Sequence, residues 1–240
     1  DIYRAALLAT PTPDLDITLR AEQGNANGDG PAGQNHALFP RGSFDFSIDN
    51  PGYTRSDWEQ AILEANWRVP FGHGRVTSIT GWRNVSMGWA ADIDSTPNFV
   101  FHTRILNLSN QTSEELRYAG SFGALDNVTG LYMLDERLKY FDERNFPTAP
   151  QRSGGGTGDF SSWALFTNND WRLSQSFTLS GGLRYTHEEK TSHIARIRPA
   201  NPSLPGPLGE IGGDLDAQTL NFVDAPIDQS WNDLSPRVGV

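Results

Sequence analysis

Five histidines, His36, His73, His102, His187 and His193, are the first residues to weigh for chemistry. A zinc hydrolase places two imidazoles and an acid on one helical face, as in H-E-x-x-H. The stretch HEEKTSH, residues 187–193, lacks that spacing and reads as a histidine and acids at the outer rim of a strand. His73 reads as a turn residue in GHG. Asp92 and Asp94 alternate in GWAADIDSTPN. Paired carboxylates serve acid–base catalysis or bind Ca²⁺, but at this place they read as solvated strand-end acids. RSGGGTGD, residues 152–159, is glycine-rich. It has no G-K-[ST] and no apolar helix behind it, so it reads as a flexible loop and not a phosphate cradle. Ser43, Ser56 and the other serines lack a G-x-S-x-G elbow. With no cysteine there is neither a disulfide framework nor a thiolate metal site. The expectation is no enzyme, no cofactor and no metal centre.

The remaining chemistry is charge. Arg83, Arg117, Arg137 and Arg184 stand among acids in stretches that alternate polar and apolar residues. FTLSGGLRYTHEEK, residues 177–190, shows the pattern best. Phe177, Leu179, Gly181, Leu183 and Tyr185 share one face, while Ser180, Arg184 and Glu188 share the other. About twelve extended residues span roughly 40 Å, longer than most strands of soluble domains. In 111–119, Glu115 and Arg117 oppose Leu116 and Tyr118. In 127–140, Val128, Gly130, Tyr132 and Leu134 oppose Thr129, Asp135, Arg137 and Lys139.

Nine strands are expected, at residues 3–10, 14–23, 58–69, 75–90, 111–119, 127–140, 162–172, 177–189 and 230–240. Short turns join them in pairs, and long Gly-, Asn- and Pro-rich loops separate the pairs. Those loops include 92–107, 141–160 and 190–229, and they hold most of the 15 prolines. Pro236 stands inside an expected strand, where it marks an edge, a bulge or a start. Trp67, Phe71, Trp171 and Phe177 sit beside the short turns, where they suit either an interfacial girdle or ordinary core aromatics that cap a sheet. The chain is 37% hydrophobic and carries a net charge of −10, which speaks against a nucleic-acid partner. It has no apolar run long enough for a transmembrane helix. A membrane β-barrel needs none, because its apolar residues occupy alternate positions.

RVTSITGWRN (75–84), QTSEELRYAG (111–120), VTGLYMLDE (128–136), SSWALFTNNDWRLSQSFTLSGGLRYTHEEK (161–190) and SWNDLSPRVGV (230–240) occur in this order. Together they resemble the barrel of TonB-dependent outer-membrane receptors, of the iron-complex type. The resemblance covers roughly 58–240, and the first 50 or so residues share only the hairpin rhythm. It implies an all-β, antiparallel, up-and-down transmembrane barrel of 22 strands with a plugged lumen. About nine strands of it fall within residues 1–240, with short periplasmic turns and long extracellular loops. The plug and the C-terminal strands are expected to lie outside this stretch.

The resemblance further implies a Gram-negative outer-membrane location, with lipid around the wall. The function it implies is uptake of a ferric siderophore or similar scarce ligand, energised by TonB–ExbB–ExbD through the plug. A passive channel or adhesin barrel is the alternative. Ligand capture in such receptors comes from loop tips and the inner wall near the outer rim. The candidates there are Trp89, Phe99, Phe101, His102, Arg104 and Trp231. Glu115, Arg117, Arg137, Arg184 and Glu188 are expected to line the lumen.

Overall fold

A computed structural model describes residues 1–148, 152–197, 220–222 and 227–239. They form one antiparallel sheet. Its strands are β1 (Ile2–Thr12), β2 (Leu15–Gly28), β3 (Tyr53–Val69), β4 (Gly74–Asp92), β5 (His102–Phe122), β6 (Leu125–Asn145), β7 (Arg152–Ser174), β8 (Phe177–Ile197), β9 (Leu220–Phe222) and β10 (Ile227–Gly239). Their spatial order is β1-β2-β3-β4-β5-β6-β7-β8-β10, with β9 paired to β8 alone. Each expected strand is therefore present and pairs with its neighbour in the chain. The short β9 is an addition within the last expected loop. The Pro/Gly-rich part of that loop, residues 198–219, lies outside the described residues. Pro236 lies in β10, the strand that ends the described sheet.

The strands run further outward than the alternation indicates. β7 has 23 residues and β5, β6 and β8 have 21 each. The 92–107 loop shrinks to 93–101, because the backbone ladder of β4 and β5 continues to Asp92 opposite His102. RSGGGTGD is not a loop. It forms the first third of β7 and pairs with β6 from Arg144 to Arg137. Ladder hydrogen bonds extend these strands past the point where one face turns apolar. Gly155 stands opposite Phe141, which is fully buried, and its φ of +152° suits a residue without Cβ.

One face of the sheet is sheltered and polar, and the other is open and apolar. Ala164 is 0% exposed, whereas its neighbour Leu165, pointing the other way, is 54% exposed. We call the sheltered side the inner face. It carries Arg20, Glu64, Thr77, Glu115, Arg117, Ser162 and Arg184, which cross-strand register places on one side. The outer face carries Leu19, Leu63, Trp67, Trp82, Leu116, Met133, Leu165, Leu179, Leu183 and Tyr185, all exposed. No second sheet covers Leu179, Leu183 or Tyr185 among the described residues. The buried apolar side chains among the described residues are Ala90, Ala91, Phe141 and Ala164. A soluble domain of this size buries a contiguous apolar core, and this sheet turns its apolar residues outward.

Register corrects the expected faces of β6. Tyr132 stands between Glu115 of β5 and Ala164 of β7, so Gly130, Tyr132 and Leu134 face inward. Arg137 lies on the outer face instead, with Leu131 and Met133 on the same side and Asp159 3.7 Å away. Both residue sets of this strand contain large apolar members, so its phase follows its partners.

The short turns carry an aromatic rim. Phe71 packs its ring 5.0 Å from Phe122 and 5.8 Å from Tyr118, whose hydroxyl donates to the Phe71 carbonyl at 2.7 Å. Gly72 has φ +58°, and a Cβ there would meet the Phe122 ring at 2.6 Å. Trp67, Phe71, Trp171 and Phe177 are all exposed, the arrangement an interfacial girdle takes.

Candidate functional site

Two places on the sheet gather chemistry: the inner wall and the outer end of the β4–β5 hairpin. On the wall, neighbours on the same face pair opposite charges, across strands for Arg4 and Arg20 and along β5 for Arg117. Arg4 meets Glu22, Arg20 Nη1 donates to Glu64 Oε2 at 3.0 Å, and Arg117 Nη1 donates to Glu115 Oε1 at 3.0 Å. Arg184 lies 5.8 Å from the Tyr132 ring and 5.7 Å from the Phe166 ring. Glu188 stands opposite Ser162 and Trp231. Of the expected wall residues, Glu115, Arg117, Arg184 and Glu188 thus share the inner face, and Arg137 does not.

At the hairpin end, the 29–52 segment folds against the 93–101 loop. Asp92 is 3% exposed and is not a solvated acid. Its Oδ1 accepts the Ser95 N–H at 2.9 Å, and its Oδ2 accepts the Asp49 N–H at 3.1 Å. Asp94 accepts the Phe101 N–H at 2.7 Å and the Thr96 N–H at 3.1 Å. Burial raises the Asp94 pKa, but these hydrogen bonds and the Thr96 hydroxyl outweigh it and hold the carboxyl below the usual aspartate range.

His102 and Arg104 belong to β5, not to the loop, and both are 5% exposed. His102 Nε2 lies 2.7 Å from Asp49 Oδ1, and its Nδ1 lies 3.4 Å from Asn50 Nδ2. Asn50 Oδ1 accepts the Gly52 N–H at 2.9 Å. That fixes the amide, so Nδ1 accepts and Nε2–H donates to Asp49. Asp49, Asp92 and His102 place ligand-type atoms within 4.8 Å of one another. Hydrogen bonds already occupy those atoms and clasp the two loops together. Arg104 Nη2 pairs with Glu143 Oε2 at 2.9 Å, with both side chains buried.

The remaining candidates lie as follows. Phe99 sits 4.6 Å from the His102 ring, and Phe101 stacks on Phe146 at 4.7 Å. Trp89 lies on the inner face of β4 between Thr54 and Ile105. Trp231 lies on β10, 44% exposed and far around the sheet from the hairpin, beside Lys190. Five of the six candidates therefore share the β4–β5 hairpin, and Trp231 does not. Asp49, Asn50 and Glu143 complete the hairpin cluster. Alternation could not reveal them, because their partners are distant in sequence.

The family model for the TonB-dependent receptor-like β-barrel matches residues 3–240. The pesticin receptors of Yersinia enterocolitica and Yersinia pestis are 30% identical over 118 residues, 48% of this chain. That alignment spans 17% of their own length. The crystal structure of the ferric yersiniabactin uptake receptor FyuA from Yersinia pestis superposes on 99% of the chain with a TM-score of 0.69. Identity there is 17%, and the superposition covers 33% of that structure. The inverted faces, the aromatic rim, the hairpin meander and these matches agree: the chain belongs to the TonB-dependent receptor β-barrel family and forms part of the barrel wall.

Proposed function

We propose that the chain is a wall segment of an outer-membrane receptor that takes up a ferric siderophore or a similarly scarce chelate. The single observation that carries this reading is the inversion of faces within the family's barrel. The exposed belt of Leu, Trp and Tyr suits hydrocarbon, and the sheltered Arg, Glu, Thr and Ser suit a hydrated or plugged interior. The outer ends of the strands carry the ligand-facing groups. Trp89, Phe99 and Phe101 offer aromatic surface, His102 ties the loops that present it through Asp49, and Arg104 ties β5 to β6 through Glu143. TonB–ExbB–ExbD acts on a plug domain to drive passage, and no covalent step is involved. The likeness in fold to the ferric yersiniabactin uptake receptor supports the ligand class.

The test is uptake of ⁵⁵Fe-labelled chelates by cells whose own iron receptors are deleted and which express the full-length receptor. Uptake abolished by collapsing the proton gradient or deleting TonB agrees with the reading. Uptake that persists without TonB identifies a passive channel and overturns it.

A further inference from the structure

A polar island interrupts the apolar outer face on β6 and β7. Register sets Asn127 opposite Asn169 and Thr129 opposite Thr167. Asn127 Nδ2 donates to Asn169 Oδ1 at 2.8 Å, and the two threonine hydroxyls lie 2.9 Å apart. Apolar pairs of the same face enclose the four. Leu125 stands opposite Trp171 on the side of the short turns, and Leu131 opposite Leu165 on the other side. At about 3.3 Å per residue and a tilt near 40°, the island lies roughly 8–20 Å from the short turns, inside an apolar belt of about 25 Å. β5 and β8 flank the two strands, so the island is not at an edge of the described sheet.

Each carboxamide carries two N–H donors and an acceptor oxygen. Among the described residues, Asn169 Nδ2 has the Thr167 hydroxyl, at 3.3 Å, as its acceptor, which leaves one N–H unspent. Hydrocarbon offers that group no partner, and the polar parts of a lipid stop at the girdle. Beside Asn169 the face is notched. Gly181, opposite it on β8, has nothing within 4 Å of its Cβ direction. Trp171, Leu179 and Leu183 wall an opening of about 460 Å³ there. Leu165, 54% exposed, projects next to the island. Donors, acceptors, hole and knob thus lie on one neutral patch. Such a patch complements itself when a second copy is turned about a two-fold axis.

We propose that Asn127, Thr129, Thr167 and Asn169, with the notch at Gly181, form a contact between two copies of the receptor inside the outer membrane. Trp171 lies at its rim and keeps its place at the head groups. The contact rests on the barrel and its lipid-facing side, not on the identity of any ligand. The test uses the full-length receptor in living cells, with p-benzoylphenylalanine at residue 131 or at residue 63. Ultraviolet light is expected to join two copies through residue 131, beside the island, and not through residue 63, far around the same face. Asn127→Leu/Asn169→Leu is expected to reduce that product. In sedimentation equilibrium in detergent it should weaken self-association about tenfold. Heat-modifiable migration reports folding, and Thr129→Val/Thr167→Val takes its place if the asparagine variant does not fold.

A wild type that is monomeric in both assays overturns the contact, as does equal cross-linking through residues 131 and 63. Cross-linking to a different protein alone, or to lipid alone, also overturns it. Undiminished association in a folded variant does the same. TonB-dependent ⁵⁵Fe uptake by a receptor whose copies do not associate shows that the transport reading stands even where the contact fails.

Discussion

Gly182 of β8 lies against the side chain of Asn168 on β7. A Cβ at residue 182 would stand 2.2 Å from Asn168 Oδ1 and 3.2 Å from the Thr167 carbonyl. Gly181, which points to the outer face, has nothing within 4 Å of its Cβ direction. The adjacent glycines thus answer different demands. Gly182 makes room for a neighbouring side chain on the inner wall, while Gly181 leaves a gap on the open one. Gly182→Val in the full receptor is expected to destabilise the wall by about 1–3 kcal/mol. Gly181→Val should be close to neutral, and Asn168→Ala should recover part of the Gly182→Val loss. Thermal unfolding in detergent checks all three, and equal effects at 181 and 182 would refute the account.

The buried pair of Arg104 and Glu143 should behave as a unit. Arg104→Met alone leaves Glu143 buried without its cation, and such breaks typically cost about 3–5 kcal/mol. Arg104→Met/Glu143→Met is expected to recover most of that. Protease resistance of the outer strand ends, together with thermal unfolding, gives the coupling. Additive losses would mean that the two side chains do not depend on each other.

The assignment of faces predicts which tryptophans meet lipid. In single-tryptophan variants reconstituted with brominated lipid, Trp67, Trp163 and Trp171 should be quenched strongly. Trp58 and Trp231 should respond to aqueous acrylamide instead. Strong quenching of Trp231 by brominated lipid would contradict its inward placement.

Asp94 gives the outer loop an acid limit. Its folded pKa lies below the unfolded value of about 3.9, so the ionised form favours the folded loop. That stability is fully present above the unfolded pKa. It is lost as pH falls through the folded pKa. Amide exchange at Phe101 and Thr96 should therefore accelerate on acidification below about pH 4, after correction for intrinsic exchange. In Asp94→Asn the amides should exchange faster at neutral pH and lose that acid dependence. A wild-type profile flat across this range would count against the role of Asp94.

By itself the sequence determined the wall. Side chains in an extended chain alternate with a period of two, so 177–190 and 111–119 displayed which residues turn together. The membrane-spanning stretch of those strands was legible because one face there must be apolar. Where both sets held apolar residues, as in Tyr132 and Leu134 against Leu131 and Met133, alternation had no phase. Register with Glu115 and Ala164 settled it and carried Arg137 outward. Above the apolar belt both faces are wet, so pattern ends while the backbone ladder continues, and 152–159 could not be told from a loop. His102 and Asp49 are 53 residues apart and meet at 2.7 Å. Only the tertiary structure brought them together, because a hydrogen bond across loops leaves no periodic trace in the chain.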